Sequence, residues 1–186
     1  KQDIVFLRGA QEEMFLKLLQ LQTAPNPHEI LQWMFEHGVD KTIRSYALNV
    51  EKIQEISKQG TLAISRWTAN LNKIICSKKG HQEYFSNLQH AAFTDTKKIL
   101  FVNRGVDITR PLSAQNDCFW WGYHNFSKLN KPYNTFEKIV RGYDPSAKDR
   151  FDDIKQKIVC SLYLGPLSNN KILGGLFNDS AEILDL

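Results

Sequence analysis

An α+β fold is predicted for this chain from three observations. Short, continuous apolar runs at Ile4-Val5-Phe6-Leu7, Ile99-Leu100-Phe101-Val102 and Ile139-Val140 read as buried strands. Helical periodicity fills the stretch between the first two, and strand-like pattern returns only in the second half. Each of the three apolar runs also ends in a glycine-containing loop: Arg8-Gly9-Ala10-Gln11-Glu12, Asn103-Arg104-Gly105 and Arg141-Gly142-Tyr143.

The elements follow in order. After the first strand, residues 12–21 read as a helix with Phe15, Leu18 and Leu19 on one stripe. Asn26, Pro27 and Glu29 have the pattern of a helix start, with a cap, a first-turn proline and a capping-box carboxylate. Ile30, Leu31, Met34 and Phe35 form its buried stripe and Gly38 ends it. Asp40 is expected to cap a second short helix through Ile43 and Tyr46, and a third helical region starts near Val50. Its later part sets Ile64, Trp67, Leu71, Ile74 and Ile75 on one face and stops near Gly80; residues 81–88 add a helical piece with Tyr84, Phe85 and Leu88 inward. Beyond the second and third strands, residues 157–164 and 171–177 read as strands. Asn178-Asp179-Ser180 is turn chemistry, and residues 181–186 complete a terminal hairpin.

Composition excludes several classes. Eleven Phe and four Trp in 186 residues argue against disorder, and no apolar run reaches the roughly 18–20 residues of a membrane helix. The first residues lack a signal-peptide pattern. A net charge of +4 is spread along the chain rather than concentrated with aromatics, so nucleic acid is not an expected partner. Cys76, Cys118 and Cys160 are far apart, which excludes a zinc ribbon or disulfide framework; they read as buried thiols of a reducing, cytoplasmic setting. His28, His37, His81, His90 and His124 are dispersed, Asp117 and Asp152-Asp153 lack an accompanying nucleophile, and Gly174-Gly175 is not followed by a phosphate-loop lysine.

The three loops carry a resemblance. Phe6-Leu7-Arg8-Gly9-Ala10-Gln11-Glu12 resembles the F-L-x-G-N-H-E signature of calcineurin-like metallophosphoesterases, in particular the bacterial serine/threonine-phosphatase-like branch that includes symmetrical diadenosine tetraphosphatases. The segment from Trp33 to Ile43 with Ser45-Tyr46 is similar to that branch's W-L-x-x-G-G-x-x-T-L-x-S-Y, and His81 with Tyr84-Phe85 and Leu88 to its H-x-x-F-L-x-x-L. Phe101-Val102-Asn103-Arg104-Gly105-Val106-Asp107 resembles F-V-H-A-G-I, continued by Pro111-Leu112 and Gln115. Phe119-Trp120-Trp121 sits at the L-W segment, and Val140-Arg141-Gly142-Tyr143-Asp144-Pro145 resembles V-H-G-H-T-P. Order and spacing agree over essentially the whole chain.

What the resemblance implies is a two-metal site of manganese or iron class that clamps a phosphate and activates a water. At the matching positions the chemistry departs. Ala10 replaces a ligand Asn and has no donor atom, and Gln11 replaces the general-acid His and cannot transfer a proton near neutral pH. Asn103 replaces a ligand His. Tyr143 replaces another with a phenol of pKa about 10, and Arg141 replaces that motif's other His. Glu12 is retained, in a supporting role. The family's G-D-x-H-G and G-D-x-x-D-R-G motifs would precede residue 1.

Three functional expectations stay open. The first is a catalytically inactive pseudophosphatase: an incomplete domain over residues 1–186, a partial calcineurin-like β-sandwich with flanking helices and a helical insertion at about residues 26–88. No metal is expected at Ala10, Asn103 and Tyr143, and the missing strands would leave an apolar sheet edge near Ile4 for self-association or a complementing chain. The second is an active metal-dependent hydrolase of phosphoproteins or dinucleoside polyphosphates, with ligation rebuilt from Asn103, Glu12 and nearby Asp residues. The third is a non-hydrolytic phosphate- or nucleotide-binding module using Arg8, Arg104 and Arg141, one at each loop; as surface charges at turns, the same residues carry no function.

Overall fold

Residues 99–102 (Ile-Leu-Phe-Val) and the Ile139-Val140 pair within residues 138–141 favour extended backbone, and the two segments pair as parallel strands at the centre of a four-stranded sheet. The computed structural model describes residues 4–122, 124–142, 158–162 and 174–185. The chain divides into two compact units: Lys1–Gly9 with Gln89–Leu186, which holds the strands, and Ala10–Leu88, which is helical. The class is α+β.

The sheet order is β1 (Ala91–Phe93), β2 (Ile99–Val102), β3 (Lys138–Arg141), β4 (Val159–Ser161), with β1 antiparallel to β2 and the other two pairings parallel. Alternation sends Leu100, Val102 and Ile139 to one face, where they pack with Val106, Phe119, Trp120, Phe126, Tyr133 and Phe136 from the connection between β2 and β3. Ile99, Val140 and Cys160 pack on the other face with Ala181, Phe177 and Ile183. Phe177 and Ile183 belong to a separate hairpin of β5 (Leu176–Phe177) and β6 (Ile183–Asp185). Its turn is set by Asn178, whose Oδ1 accepts from the Ser180 and Glu182 N–H groups at 3.0 and 2.9 Å. Both faces are therefore covered, which explains why β2 is an uninterrupted apolar run and why the centre of β3, Ile139-Val140, is apolar on both faces.

One strand expectation is corrected here. Ile4-Val5-Phe6-Leu7 is not a buried strand: Ile4, Val5 and Phe6 are 76%, 49% and 51% exposed, and only Leu7 forms a parallel bridge, to Gln89. Gln89 N–H donates to Phe6 O and Arg8 N–H to Gln89 O, each at 2.8 Å. An apolar run becomes a buried strand only when a second layer covers it. Strand β1, three residues long, went unanticipated because it offers too few positions for alternation. The expected strands at 157–164 and 171–177 are seen as β4 and β5, their remaining parts lying partly outside the described residues.

The helical unit runs α1 (Ala10–Leu18), α2 (Pro27–Glu36), α3 (Val39–Ser45), α4 (Val50–Lys58), α5 (Thr61–Ser77) and α6 (His81–Asn87). Phe15, 1% exposed, stacks on Tyr46 at 5.6 Å and on Phe85 at 5.4 Å, joining α1, the end of α3 and α6. Leu31, Met34, Val39, Ile43, Ile53, Ile64, Leu71 and Ile75 fill the rest of the core. Pro27 opens α2 as expected, but Asn26 donates to Glu29 Oε2 at 3.2 Å instead of capping the backbone. Asp40 lies in the first turn of α3; Gly38, at φ +91°, makes the reversal before it in a conformation that side chains resist. Asn49 is a true cap, accepting from Lys52 N–H at 2.8 Å. Tyr84 is 38% exposed rather than inward, and Cys76 is exposed rather than buried.

Two outcomes follow for the isolated chain. Leu100→Ala and Ile139→Ala should each lower unfolding free energy by about 2–5 kcal/mol in denaturant titrations, because both side chains are fully buried between packed layers. The exposed Ile4-Val5-Phe6 segment should drive concentration-dependent association in sedimentation experiments, suppressed by Phe6→Lys; a monomer at all concentrations would contradict this.

Candidate functional site at the carboxyl end of the sheet

Parallel pairing of β2 and β3 sets Val102 opposite Arg141, so the loops that leave both strands emerge side by side. Gly142 N–H donates to Val102 O at 3.2 Å across this end. β1 enters here too, since Ala91 pairs with Val102, and Leu7 bridges Gln89 just before it. Arg8, Asn103, Arg104 and Arg141 thus share one end of the sheet unit, where ligand sites of open parallel sheets collect.

Each arginine is held by its own neighbours. The Arg8 guanidinium lies 5.9 Å from the Trp120 ring centroid. Arg104 N–H donates to Phe119 O at 2.8 Å, and the Arg104 Cγ lies 3.2 Å from where a Cβ on Gly122 would stand. Gly122 has φ +75°, so both backbone conformation and space keep this position free of a side chain. Arg141 sits 5.2 Å over the Phe126 ring, and its Nε donates to Ser161 Oγ at 2.7 Å. Trp120 is 6% exposed, and among the described residues its buried Nε1 has no hydrogen-bond partner.

The remaining predicted residues fall elsewhere. Ala10, Gln11 and Glu12 begin α1 in the helical unit. Gln11 Nε2 donates to His37 O at 2.9 Å, so this amide closes the carboxyl end of α2. Burial raises the pKa of Tyr84, and the Glu12 carboxylate raises it further. Tyr143 and Asp152-Asp153 lie outside the described residues. His28, His37 and His81 make local hydrogen bonds, to Ser57 Oγ, Trp33 O and the Tyr46 hydroxyl. Burial pushes the Cys160 thiol up to about 11, against the opposing charge of Lys138, and raises Cys118 as well, which disfavours nucleophilic thiolate. Among the described residues, no group of three His, Cys, Asp or Glu could hold a metal ion. A methyl group at Ala10 and an amide at Asn103 do not fit the ligand set of a two-metal centre.

Sequence reasoning missed the polar frame under the loop that follows Arg104. Gln115, fully buried, accepts from Asp107 N–H through Oε1 at 2.6 Å, and its Nε2 donates to Asp107 O, Arg110 O and the Tyr133 hydroxyl at 2.9, 3.0 and 2.8 Å. The Tyr133 hydroxyl donates to Arg110 O at 2.6 Å. Asp107, 1% exposed, accepts from Asn125 Nδ2, Thr109 Oγ1 and Thr109 N–H and pairs with Arg110 Nε at 3.0 Å. Burial opposes ionisation of Asp107, but these hydrogen bonds and the Arg110 charge outweigh it and hold the carboxyl at about 2. A buried glutamine that closes a loop leaves no periodic signal. Its neighbours Ser113, Asn116 and Asp117 are polar too, so composition does not single it out.

Folding lowers the Asp107 pKa from 3.8 to about 2, so its stabilising contribution is complete above the unfolded value and fades as pH falls toward the folded one. Denaturant titrations between pH 5 and about pH 2 should show stability falling across that window, with a flatter profile for Asp107→Asn. The chain matches no protein-family model, no curated protein and no solved structure.

Proposed function

We propose that this chain is a non-catalytic, metallophosphoesterase-like protein: a pseudophosphatase built on part of a calcineurin-like sandwich, with α2–α6 as its helical insertion. The ordered motif resemblance supports the family, and a mixed sheet covered on both faces is compatible with it. One observation carries the loss of catalysis. Where the resemblance calls for metal ligands and an acid, the chain offers Ala10, Asn103, Gln11 and Arg141, and the Gln11 amide is engaged with His37 O. A Gln held at a helix end supplies no proton to a leaving oxygen. An active enzyme rebuilt from Asn103 and Glu12 is the weaker reading, because an amide and one carboxylate give too few donors for two metals.

A second reading rests on the three guanidinium groups at one sheet end. These forks suit phosphate, and Trp120 beside Arg8, with Phe126 and Ser161 Oγ beside Arg141, restrain two of them before any ligand arrives. In this reading the sheet end retains anions without hydrolysing them.

Incubation with manganese or ferrous iron and para-nitrophenyl phosphate should give no turnover above buffer, and metal analysis after desalting should give no stoichiometric metal. Bound metal at one or two equivalents together with hydrolysis would overturn the first reading. Calorimetric titration with inorganic phosphate tests the second: heat that disappears in Arg8→Gln/Arg104→Gln supports it, and absence of heat removes it.

A further inference from the structure

Residues 108–111 and 128–134 line an open pocket of about 400 Å³, and none of the three loop arginines is among them. Three cationic side chains line it, Arg110, Lys128 and Lys131, and no carboxylate does. Arg110 is already engaged: its Nε pairs with the buried Asp107 carboxylate at 3.0 Å. Among the described residues, neither Lys128 nor Lys131 forms an ion pair. With Arg110 engaged by Asp107, the two lysines bring two positive charges to the pocket. A phosphate monoester carries about −1.5 to −2 at neutral pH, which matches that excess.

The rest of the lining gives shape. Ile108, Leu129 and Pro132 supply apolar walls beside the charges, suited to a flat or branched organic body rather than a bare ion. The frame behind it is rigid: Tyr133 is 4% exposed and donates to Arg110 O, while Gln115 holds the Arg110 carbonyl and the Tyr133 hydroxyl together. Arg110 and Tyr133 are therefore fixed relative to each other in the absence of any ligand, which reduces the ordering cost of binding.

We propose that this pocket is a binding site for a small organic phosphate monoester, its phosphate held by Lys128, Lys131 and Arg110 and its apolar body against Ile108, Leu129 and Pro132. The site is separate from the arginines at the sheet end and does not depend on their role.

Calorimetry and amide chemical-shift mapping of the full chain with phenyl phosphate, inorganic phosphate and benzoate test it. Phenyl phosphate should bind at one saturable site, more tightly than inorganic phosphate and than benzoate, with shifts centred on residues 108–111 and 128–134. Lys128→Gln/Lys131→Gln should weaken it by at least about tenfold, as expected for the loss of two charge-assisted contacts. Both lysines are exposed, so the thermal melt of this variant should match the parent. Absence of saturable binding, unchanged affinity in the double-lysine variant, or equal affinity for benzoate would each overturn the proposal. Binding kept in that variant but abolished by Arg8→Gln/Arg104→Gln would assign the ligand to the sheet end, sinking this proposal and leaving the second functional reading intact.

Discussion

The parallel pairing of β2 with β3 is the constraint on which the strand-bearing unit depends. Two parallel neighbours cannot be joined by a tight turn, so the chain must leave Val102, travel over one face and return at Lys138. That path has to bury apolar side chains against Leu100, Val102 and Ile139 while satisfying its own backbone without long helices. Phe119, Phe126, Tyr133 and Phe136 do the first. Gln115 does the second, with one carboxamide serving the backbone at Asp107 and Arg110. The loop that carries Arg104 and the pocket that carries Arg110 are both products of that single crossover.

Chemistry at the carboxyl end follows from the same geometry. Strand direction brings Asn103, Arg104 and Arg141 together, and the bridge at Leu7 adds Arg8. What the loops present is guanidinium and amide rather than imidazole and carboxylate. The aromatic faces under Arg8 and Arg141 restrain the charges without neutralising them.

Legibility in the sequence tracked burial and locality. Ile99-Leu100-Phe101-Val102 could be read as a strand because layers on both faces demand an unbroken apolar run. Ile4-Val5-Phe6-Leu7 has the same signature, yet its first three residues are exposed, since composition reports what could be buried and not what covers it. Helices α2 to α6 were legible from periodicity, with errors where a cap was guessed from one polar residue: Asp40 stands inside α3 while Gly38 makes the reversal. The three arginines were visible because each follows an apolar run. Arg110, Lys128 and Lys131 were not, because no local pattern unites residues that only the crossover brings to one cavity.

The bridge between Leu7 and Gln89 has a further consequence. Residues on either side of the whole helical segment Ala10–Leu88 are clasped to each other by two backbone hydrogen bonds of 2.8 Å. Entry and exit of that segment are thus neighbours within the strand-bearing unit, which is the geometry of a cassette plugged into a host. Closure entropy grows only logarithmically with the length enclosed, so the host is nearly indifferent to how many residues the cassette contains. Helices could be lengthened, shortened or exchanged between Gly9 and Gln89 while the sheet keeps its register, and the two parts are free to diverge at different rates.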